Sequence, residues 1–316
     1  VQTCALPIYE ITLMLGVNDE GRQGATRFWM DGDAVADGDG IPVETDLAGL
    51  LRVADQVERG DVDITATALR RLFRATGSLG GARPKANVRI GAALWLAKFP
   101  KPNGDEWNVM AWEAAVLDAM HSVGIDVAEH RTTNVVVDGS HRTVLLIRRF
   151  DRRADGRRVP YISAMTALEA TDGEGGDWVD LVDFARVNGA DTAELWRRAV
   201  FGVLIGNLDD HLRNHGFLRQ GPAWTAAPAF DVNPEPSNEG DEHELALFGS
   251  AELNLDAFLS RDALDLFGVG AKEAAAFLTC LRERLPALPR LASSHGADAR
   301  SVDVMRTRVE GAIVAL

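Results

Sequence analysis

The sequence predicts an α/β (α+β) protein of two lobes, in which a mixed N-terminal lobe containing a β-sheet precedes a mostly helical C-terminal lobe. Three observations support this expectation. The 316 residues are enough for two hydrophobic cores, and 46% apolar with 25% charged residues is an ordinary globular composition. Runs typical of β-strands lie at 88–90, 92–99, 132–137 and 142–150, with Asp138-Gly139 as a hairpin turn between the last two. Helical patterns dominate from residue 153 onwards.

Residues 1–8 are interpreted as foreign to the native protein, because they match the translation of a common sequencing-adapter oligonucleotide. We then expect the N-lobe to occupy residues 9–152 and the C-lobe to occupy residues 153–316. On this interpretation the native N-terminus is missing and Cys4 is an artefact.

Charge and cysteine content exclude several classes of protein. The chain has 33 Lys and Arg against 47 Asp and Glu, and its net charge of −14 repels nucleic acid unless a local basic patch exists. Two cysteines form no disulfide framework and indicate a reducing compartment. No apolar run approaches the roughly 20 residues of a membrane-spanning helix. We therefore expect a soluble, cytoplasmic protein without membrane contact.

The first predicted helix starts at Asp46, because Leu47, Leu50, Leu51 and Ala54 share one helical face. Later helices are predicted in the C-lobe from similar patterns. They cover residues 164–169, 178–187, 192–205, 255–259, 271–285 and 302–316.

A glycine-rich segment at 77–85 reads Gly-Ser-Leu-Gly-Gly-Ala-Arg-Pro-Lys and leads into strand-like runs at 88–90 and 92–99. Glycine lets backbone N–H groups approach phosphate oxygens that a Cβ atom would obstruct. An ordinary surface turn explains the same pattern, so this segment alone does not decide the function.

Lys98 lies in the apolar run 94–99, where its ammonium group needs a partner if the strand is covered. A lysine that extends to solvent from the strand end is the alternative. Glu113, on a helix predicted over 106–123, can supply the partner. A strand lysine followed by a helix glutamate is the ion pair with which protein kinases hold ATP phosphates. The hairpin over 132–150 then completes the order of a kinase-like N-lobe.

The segment 206–217 reads Gly-Asn-Leu-Asp-Asp-His-Leu-Arg-Asn-His-Gly-Phe and follows a helical run. Asp209 and Asn214 have the spacing of the kinase catalytic loop, where Asp accepts the substrate hydroxyl proton and Asn holds magnesium. Asp231 would supply a further carboxylate for Mg²⁺, which prefers oxygen ligands.

Two alternatives remain open for these polar residues. They are solvated loop residues that cap the next element, or a phosphohydrolase metal cluster of Asp209, Asp210, His211 and His215. The metal cluster leaves the glycine-rich segment and Lys98 unexplained.

Five motifs follow one another along the chain. They are Ser78-Leu-Gly-Gly-Ala-Arg-Pro-Lys85, Leu96-Ala-Lys-Phe-Pro100, Arg148-Arg-Phe-Asp-Arg152, Asn207-Leu-Asp-Asp-His-Leu-Arg-Asn-His-Gly-Phe217 and Phe230-Asp-Val-Asn-Pro234. Their combination resembles the HipA family, the serine/threonine kinase toxins of bacterial type II toxin-antitoxin modules. The resemblance implies a bilobal, protein-kinase-like fold and a Mg-ATP-dependent, growth-arresting protein serine/threonine kinase.

The resemblance also implies roles for residues at matching positions. Asp209 corresponds to the catalytic base, Asn214 and Asp231 to the magnesium ligands, and Lys98 to the lysine that contacts ATP phosphates. The nucleotide loop corresponds to Gly80, Gly81, Ala82, Arg83, Pro84 and Lys85. Further nucleotide-binding positions are Glu113, Arg148, Arg149, Phe150, His211 and Phe230.

Ser78 matches the position at which family members autophosphorylate, an event that expels the glycine-rich loop and inactivates the kinase. A phosphate there adds roughly −1.5 to −2 charges beside the site for ATP phosphates. An ordinary loop serine is the alternative.

The implied partners are a HipB-like helix-turn-helix antitoxin, through which DNA is contacted only indirectly, and a protein substrate. An aminoacyl-tRNA synthetase is the substrate suggested by analogy. Family members usually begin with a further small subdomain, and we expect this chain to start after it, without part of the surface that meets the antitoxin. Two other functions stay open: a small-molecule phosphotransferase, and a catalytically silent module that binds the antitoxin.

Overall fold

The computed structural model of the chain describes residues 14–36, 40–61, 63–65, 67–68, 72, 75, 83–102, 105–236 and 242–316. The described part of the chain contains no helix that is both long enough and apolar enough to cross a lipid bilayer.

A small hairpin and one amphipathic helix come first. The hairpin pairs β1 (Trp29–Met30) with β2 (Asp33–Ala34), and helix α1 spans Leu47–Arg59. The four apolar residues that predicted this helix are all buried. Gly60, with φ of +72°, ends the helix in the left-handed conformation typical of a glycine C-cap.

Four antiparallel strands form the sheet of the N-lobe, in the order β3-β4-β6-β5. The strands are β3 (Lys85–Ile90), β4 (Ala93–Lys98), β5 (His130–Val137) and β6 (Ser140–Arg148). The predicted Asp138-Gly139 turn joins β5 to β6, and both turn residues have positive φ, as a tight two-residue hairpin requires.

Helix α2 (Val109–Ser122) connects β4 to β5. It begins three residues later than predicted, because the Asn108 side chain caps it by accepting a hydrogen bond from the Ala111 N–H at 3.1 Å. Alternate side chains of β6 lie on opposite faces of the sheet and belong to different hydrophobic cores. Val144 and Leu146 pack with α1, whereas Leu145 and Ile147 pack with α2 and the C-lobe. The sheet therefore lies between α1 on one face and α2 on the other.

The first half of the C-lobe combines short strands with two long helices. Its elements are β7 (Tyr161–Ser163), α3 (Ala164–Ala167), β8 (Gly176–Asp177), α4 (Trp178–Asn188), α5 (Thr192–Ile205), β9 (Gly216–Gln220), β10 (Ala223–Ala226) and β11 (Leu245–Ala246). Strands β10, β9 and β7 form one antiparallel sheet, and β8 pairs in parallel with β11. Helix α5 has the predicted bounds.

Helices make up the rest of the C-lobe. They are α6 (Leu255–Leu259), α7 (Arg261–Phe267), α8 (Ala271–Arg284), α9 (Leu288–Ser294), α10 (Ala299–Val304) and α11 (Arg306–Ala315). The single helix predicted over 302–316 is wrong, because the chain breaks at Met305, whose side chain is completely buried. Helices α7 and α9 were not predicted, since seven residues show too few turns for a clear apolar period.

Candidate active site

Two buried lysines lie side by side at one end of the N-lobe sheet. The register of β3 and β4 pairs Lys85 with Lys98, so both side chains lie on the same face. Leu96, two residues before Lys98, shares that face. Lys85 is 7% exposed and Lys98 is 3% exposed. Neighbouring buried ammonium groups require negative charge close by, since an unpaired buried charge is costly.

Lys98 binds two carboxylates that come from different parts of the chain. Its Nζ lies 2.6 Å from Glu113 Oε1 and 2.7 Å from Asp231 Oδ1. Burial alone would lower the pKa of Lys98, but the two carboxylates raise it to about 12. Lys98 is therefore a permanent cation at neutral pH. The sequence analysis anticipated Glu113 as a partner and did not anticipate the direct contact with Asp231.

Asp231 has an unusual backbone conformation for a residue with a side chain. Its φ is +59°, in the left-handed region that aspartate tolerates better than most residues. Burial would raise the pKa of the Asp231 carboxyl, but Lys98 and Lys85 hold it well below its ordinary value. The site therefore presents an ionised carboxylate between two lysines.

The candidate catalytic loop begins where α5 ends. Gly206, with φ of +66°, terminates the helix as a left-handed C-cap. Asn207 is buried, and its Oδ1 accepts a hydrogen bond from the Asn233 backbone N–H at 3.0 Å. Asn214 Nδ2 donates to the Asp209 carbonyl oxygen at 2.9 Å. These bonds close the loop on itself and attach it to the segment that carries Asp231.

Gly206 also lies against the C-terminal helix α11. A Cβ atom placed on it would overlap the Arg308 guanidinium, and Arg308 Nε donates to the Glu235 carbonyl at 2.6 Å. We expect Gly206→Ala to lower the free energy of unfolding by about 1–3 kcal/mol more than Gly221→Ala does, because the buried Arg308 guanidinium must shift and give up its hydrogen bond to the Glu235 carbonyl. Gly221 is a matched control, with φ of +64° and no atom within 4 Å of a Cβ. Urea denaturation of both variants measures the difference, and equal losses would contradict this contact.

Asp209 is placed where an outside group can reach it. Its side chain is 84% exposed, and Oδ1 lies 3.8 Å from His211 Nε2. Partial desolvation raises the pKa of Asp209, helped by the carboxylates of Asp231, Glu244 and Asp210 and opposed by His211. Solvent screens this shift, but its direction makes Asp209 a better proton acceptor.

Asp210 and His215 contact each other rather than the cleft. Asp210 Oδ1 lies 2.9 Å from His215 Nε2, and the His215 ring packs edge-on against Trp178 at 4.9 Å between centroids. Among the residues that the structure describes, Asp209, Asp210, His211 and His215 do not bring their ligand atoms to one point. The structure therefore does not support the phosphohydrolase metal cluster.

A cavity of about 250 Å³ lies between the sheet and the loop. Its polar end is formed by Lys85, Lys98, His211, Asn214 and Asp231. Its apolar walls include Leu96, Ile147, Phe150, Met165 and Phe230. The rings of Phe150 and Phe230 lie 5.6 Å apart. An apolar wall that leads to two lysines suits a ligand with a flat ring at one end and phosphates at the other.

A second cavity, of about 310 Å³, shares Lys85, Lys98 and Asp231 with the first. It is also lined by Asp209 and Asn233. The predicted base therefore lies beside the polar end of the first cavity.

The two arginines of the predicted interlobe segment line the cavity, but their side chains have other partners. Arg148 Nη1 lies 2.7 Å from Glu129 Oε2. Arg149 binds both oxygens of Asp151, at 2.8 and 2.5 Å, and donates to Asn87 Oδ1 at 2.6 Å. These contacts hold the guanidinium in a buried ion pair, so Arg149 stabilises the segment that lines the cavity.

Part of the predicted nucleotide loop is described. Arg83 Nη1 lies 2.9 Å from Asp105 Oδ1, and the Pro84 carbonyl accepts a hydrogen bond from the Phe99 N–H at 2.9 Å. Ser78, Gly80, Gly81 and Ala82 lie outside the described residues, as do residues 1–8.

Asn233 is a site residue that the sequence analysis did not single out. Its Nδ2 donates to Asp231 Oδ1 at 3.2 Å, and its Oδ1 is buried without a hydrogen-bond partner among the described residues. A buried acceptor without a donor fits a site that receives a cation. Asn233 and Asp231 both line the second cavity and offer the oxygen donors that Mg²⁺ prefers. In the sequence, the feature that could have indicated Asn233 was its position two residues after Asp231.

Comparison with known proteins agrees with this architecture. The family model described as the HipA-like C-terminal domain matches residues 77–287. Toxin YjjJ of Escherichia coli (strain K12) is 23% identical over 272 residues, which are 78% of this chain and 56% of that protein. The chain spans about half the length of the curated relatives that it matches.

Two solved structures are similar to the whole chain or most of it. HipA of Shewanella oneidensis MR-1, solved with HipB and operator DNA, has a TM-score of 0.68 at 15% identity, covering 98% of this chain and 79% of its own. The Helicobacter pylori proinflammatory kinase CtkA has a TM-score of 0.55 at 16% identity, covering 75% and 90% respectively. At such identities the similarity shows a shared fold, and that fold is the predicted kinase-like one.

Proposed function

The chain belongs to the family of HipA-like C-terminal domains, and we propose that it is a Mg-ATP-dependent protein serine/threonine kinase that acts as the toxin of a toxin-antitoxin module. One observation carries the proposal. Lys98 bridges Glu113 and Asp231 at 2.6 and 2.7 Å, in a cavity that His211 and Asn214 also line. A strand lysine held by a helix glutamate beside an aspartate is the arrangement with which kinases position ATP phosphates.

The cavity suits ATP at both ends. The adenine ring would pack against the apolar walls between Phe150 and Phe230, and the phosphates would lie at Lys85 and Lys98. Glu113 holds Lys98 in place, and the raised pKa of Lys98, about 12, keeps the ammonium charged. Charge at a fixed position favours the transition state because no reorganisation is required during the reaction.

Asp231 and Asn214 would hold magnesium, and Asn233 would orient the Asp231 carboxylate. When bound, the ion neutralises charge on the phosphates during transfer. Asp209 would accept the proton of the acceptor hydroxyl. Its exposed carboxylate suits a hydroxyl that is presented by another protein rather than one enclosed in the cavity.

Regulation and partners follow from the same family membership. We propose that Ser78 is the autophosphorylation site, that a HipB-like antitoxin binds the complete protein, and that the protein acts in the cytoplasm. Contact with DNA would be made through the antitoxin, in agreement with the net charge of −14. The substrate would be a protein, with an aminoacyl-tRNA synthetase as the candidate by analogy.

The test is transfer of a labelled γ-phosphate from ATP in the presence of Mg²⁺, with the modified residue located by mass spectrometry. We expect label on Ser78 in the wild-type chain, no label in Asp209→Asn, and unchanged labelling in Asp61→Asn. Asp61 is an exposed aspartate outside the cleft and therefore a matched control. Ser78→Ala should lose self-labelling but still label an added protein acceptor.

Two outcomes would overturn the proposal. Transfer to small alcohols or aminoglycosides, with none to protein, would identify a small-molecule phosphotransferase. ATP binding without any transfer by the folded wild-type chain would identify a catalytically silent module.

A further inference from the structure

A second polar cluster lies on another face of the helix that carries Glu113. Asp118 follows Glu113 by five positions on α2, which is a rotation of about 140° around the helix axis. His130, the first residue of β5, places Nε2 at 3.1 Å from Asp118 Oδ1, and His295, just after α9, places Nε2 at 2.7 Å from Asp118 Oδ2. Three elements of the fold thus direct ligand atoms at one point.

The remaining ring nitrogens of both histidines are also occupied. His130 Nδ1 lies 2.8 Å from the Ala128 carbonyl oxygen, and His295 Nδ1 lies 3.1 Å from Thr132 Oγ1. Such outer contacts fix the orientation of metal-binding imidazoles in proteins. Both nitrogens of His130 face oxygen atoms, an arrangement that is satisfied by an imidazolium with two N–H groups and equally by a bound cation in place of the Nε2 proton.

We propose that Asp118, His130 and His295 form a binding site for a divalent transition-metal ion of the zinc class. Their ligand atoms all lie within 4.8 Å of one another. Two imidazoles and one carboxylate, with water in the fourth position, are an established donor set for Zn²⁺. Imidazole ligands select against Mg²⁺ and Ca²⁺, which prefer oxygen.

The surroundings of the site suit a bound ion that can enter from solvent. The His130 side chain is 6% exposed and that of His295 is 16% exposed, so both rings are held by packing. The Asp118 side chain is 39% exposed and leaves an entry path. The ion would connect α2 with β5 and with the end of α9, and would thereby fix the helix that positions Glu113. This inference does not depend on the proposed kinase function.

The experiment is calorimetric titration of the metal-free full chain with Zn²⁺, repeated with Co²⁺ to record the absorption bands of a low-coordinate imidazole site. The variants are Asp118→Asn and His295→Gln, and His141→Gln is the matched control because His141 is exposed on the β5–β6 hairpin. We expect saturable Zn²⁺ binding by the wild-type chain and by the control. Each site variant should weaken Zn²⁺ binding by more than about 100-fold, because loss of a contact that only orients a ligand already costs about 10–100-fold.

Circular dichroism and thermal unfolding show whether each variant is folded. Asp118→Asn is nearly isosteric, so at least this variant should fold like the wild-type chain. Zn²⁺ should raise the midpoint of thermal unfolding of the wild-type chain and not that of Asp118→Asn. The proposal is overturned if the folded wild-type chain binds no Zn²⁺. It is also overturned if the folded variants bind as tightly as wild type, since the ion then lies elsewhere.

Discussion

Replacing Asp231 with asparagine is expected to reduce phosphoryl transfer by at least about 1,000-fold, which corresponds to about 4 kcal/mol of transition-state stabilisation. The variant loses a carboxylate that would bind magnesium and keeps a side chain of nearly the same shape. Lys98 keeps Glu113 at 2.6 Å, so the chain should still fold. Initial rates of label transfer at saturating ATP, measured over a range of Mg²⁺ concentrations, test this expectation.

The matched control for Asp231→Asn is Asp61→Asn, which makes the same chemical change at an exposed position. The control should transfer phosphate at the wild-type rate. An Asp231→Asn variant that retains more than about a tenth of the wild-type rate would contradict the role of Asp231, because loss of a metal carboxylate costs several kcal/mol.

Elements bounded by local signals were predicted well from the sequence. Helix α5 has the predicted bounds because Asp191 caps its start, accepting a hydrogen bond from the Ala193 N–H at 2.9 Å, and Gly206 ends it. The β5–β6 hairpin was predicted because Asp138-Gly139 fixes its turn. In both cases the information lies within a few residues of the boundary.

Contacts between distant segments were beyond the sequence analysis. Asn233 acts on Asp231 and on Asn207, which lies 26 positions away, and no periodicity or spacing signals that pair. Asp118 and His295 are 177 positions apart, so nothing in either local sequence connects them. Arg149 was expected near a nucleotide, and its contacts with Asp151 and Asn87 become visible only in the fold.

Replacing Lys98 with methionine is expected to lower the free energy of unfolding by about 3–5 kcal/mol, because Glu113 is left buried without its partner. Lys98 and Glu113 side chains are only 3% and 1% exposed, so solvent cannot compensate. The pKa of Lys98 is raised from 10.5 to about 12, so the part of the stability that is linked to protonation of Lys98 is fully present below pH 10.5 and is lost as the pH rises through 12. Urea denaturation at neutral pH measures the loss, and Lys272→Met, at an exposed lysine on α8, should show none.

A double variant separates the structural role of Lys98 from its role in phosphoryl transfer. Lys98→Met combined with Glu113→Leu replaces the buried ion pair by apolar groups, and such replacements are commonly neutral or stabilising. We therefore expect the double variant to recover most of the stability lost in Lys98→Met, since Asp231 is 28% exposed and keeps Lys85 nearby. Phosphoryl transfer should be absent in Lys98→Met and in the double variant, because no charge remains at position 98 to hold the ATP phosphates. Recovery of transfer together with stability would show that Lys98 acts through the fold alone.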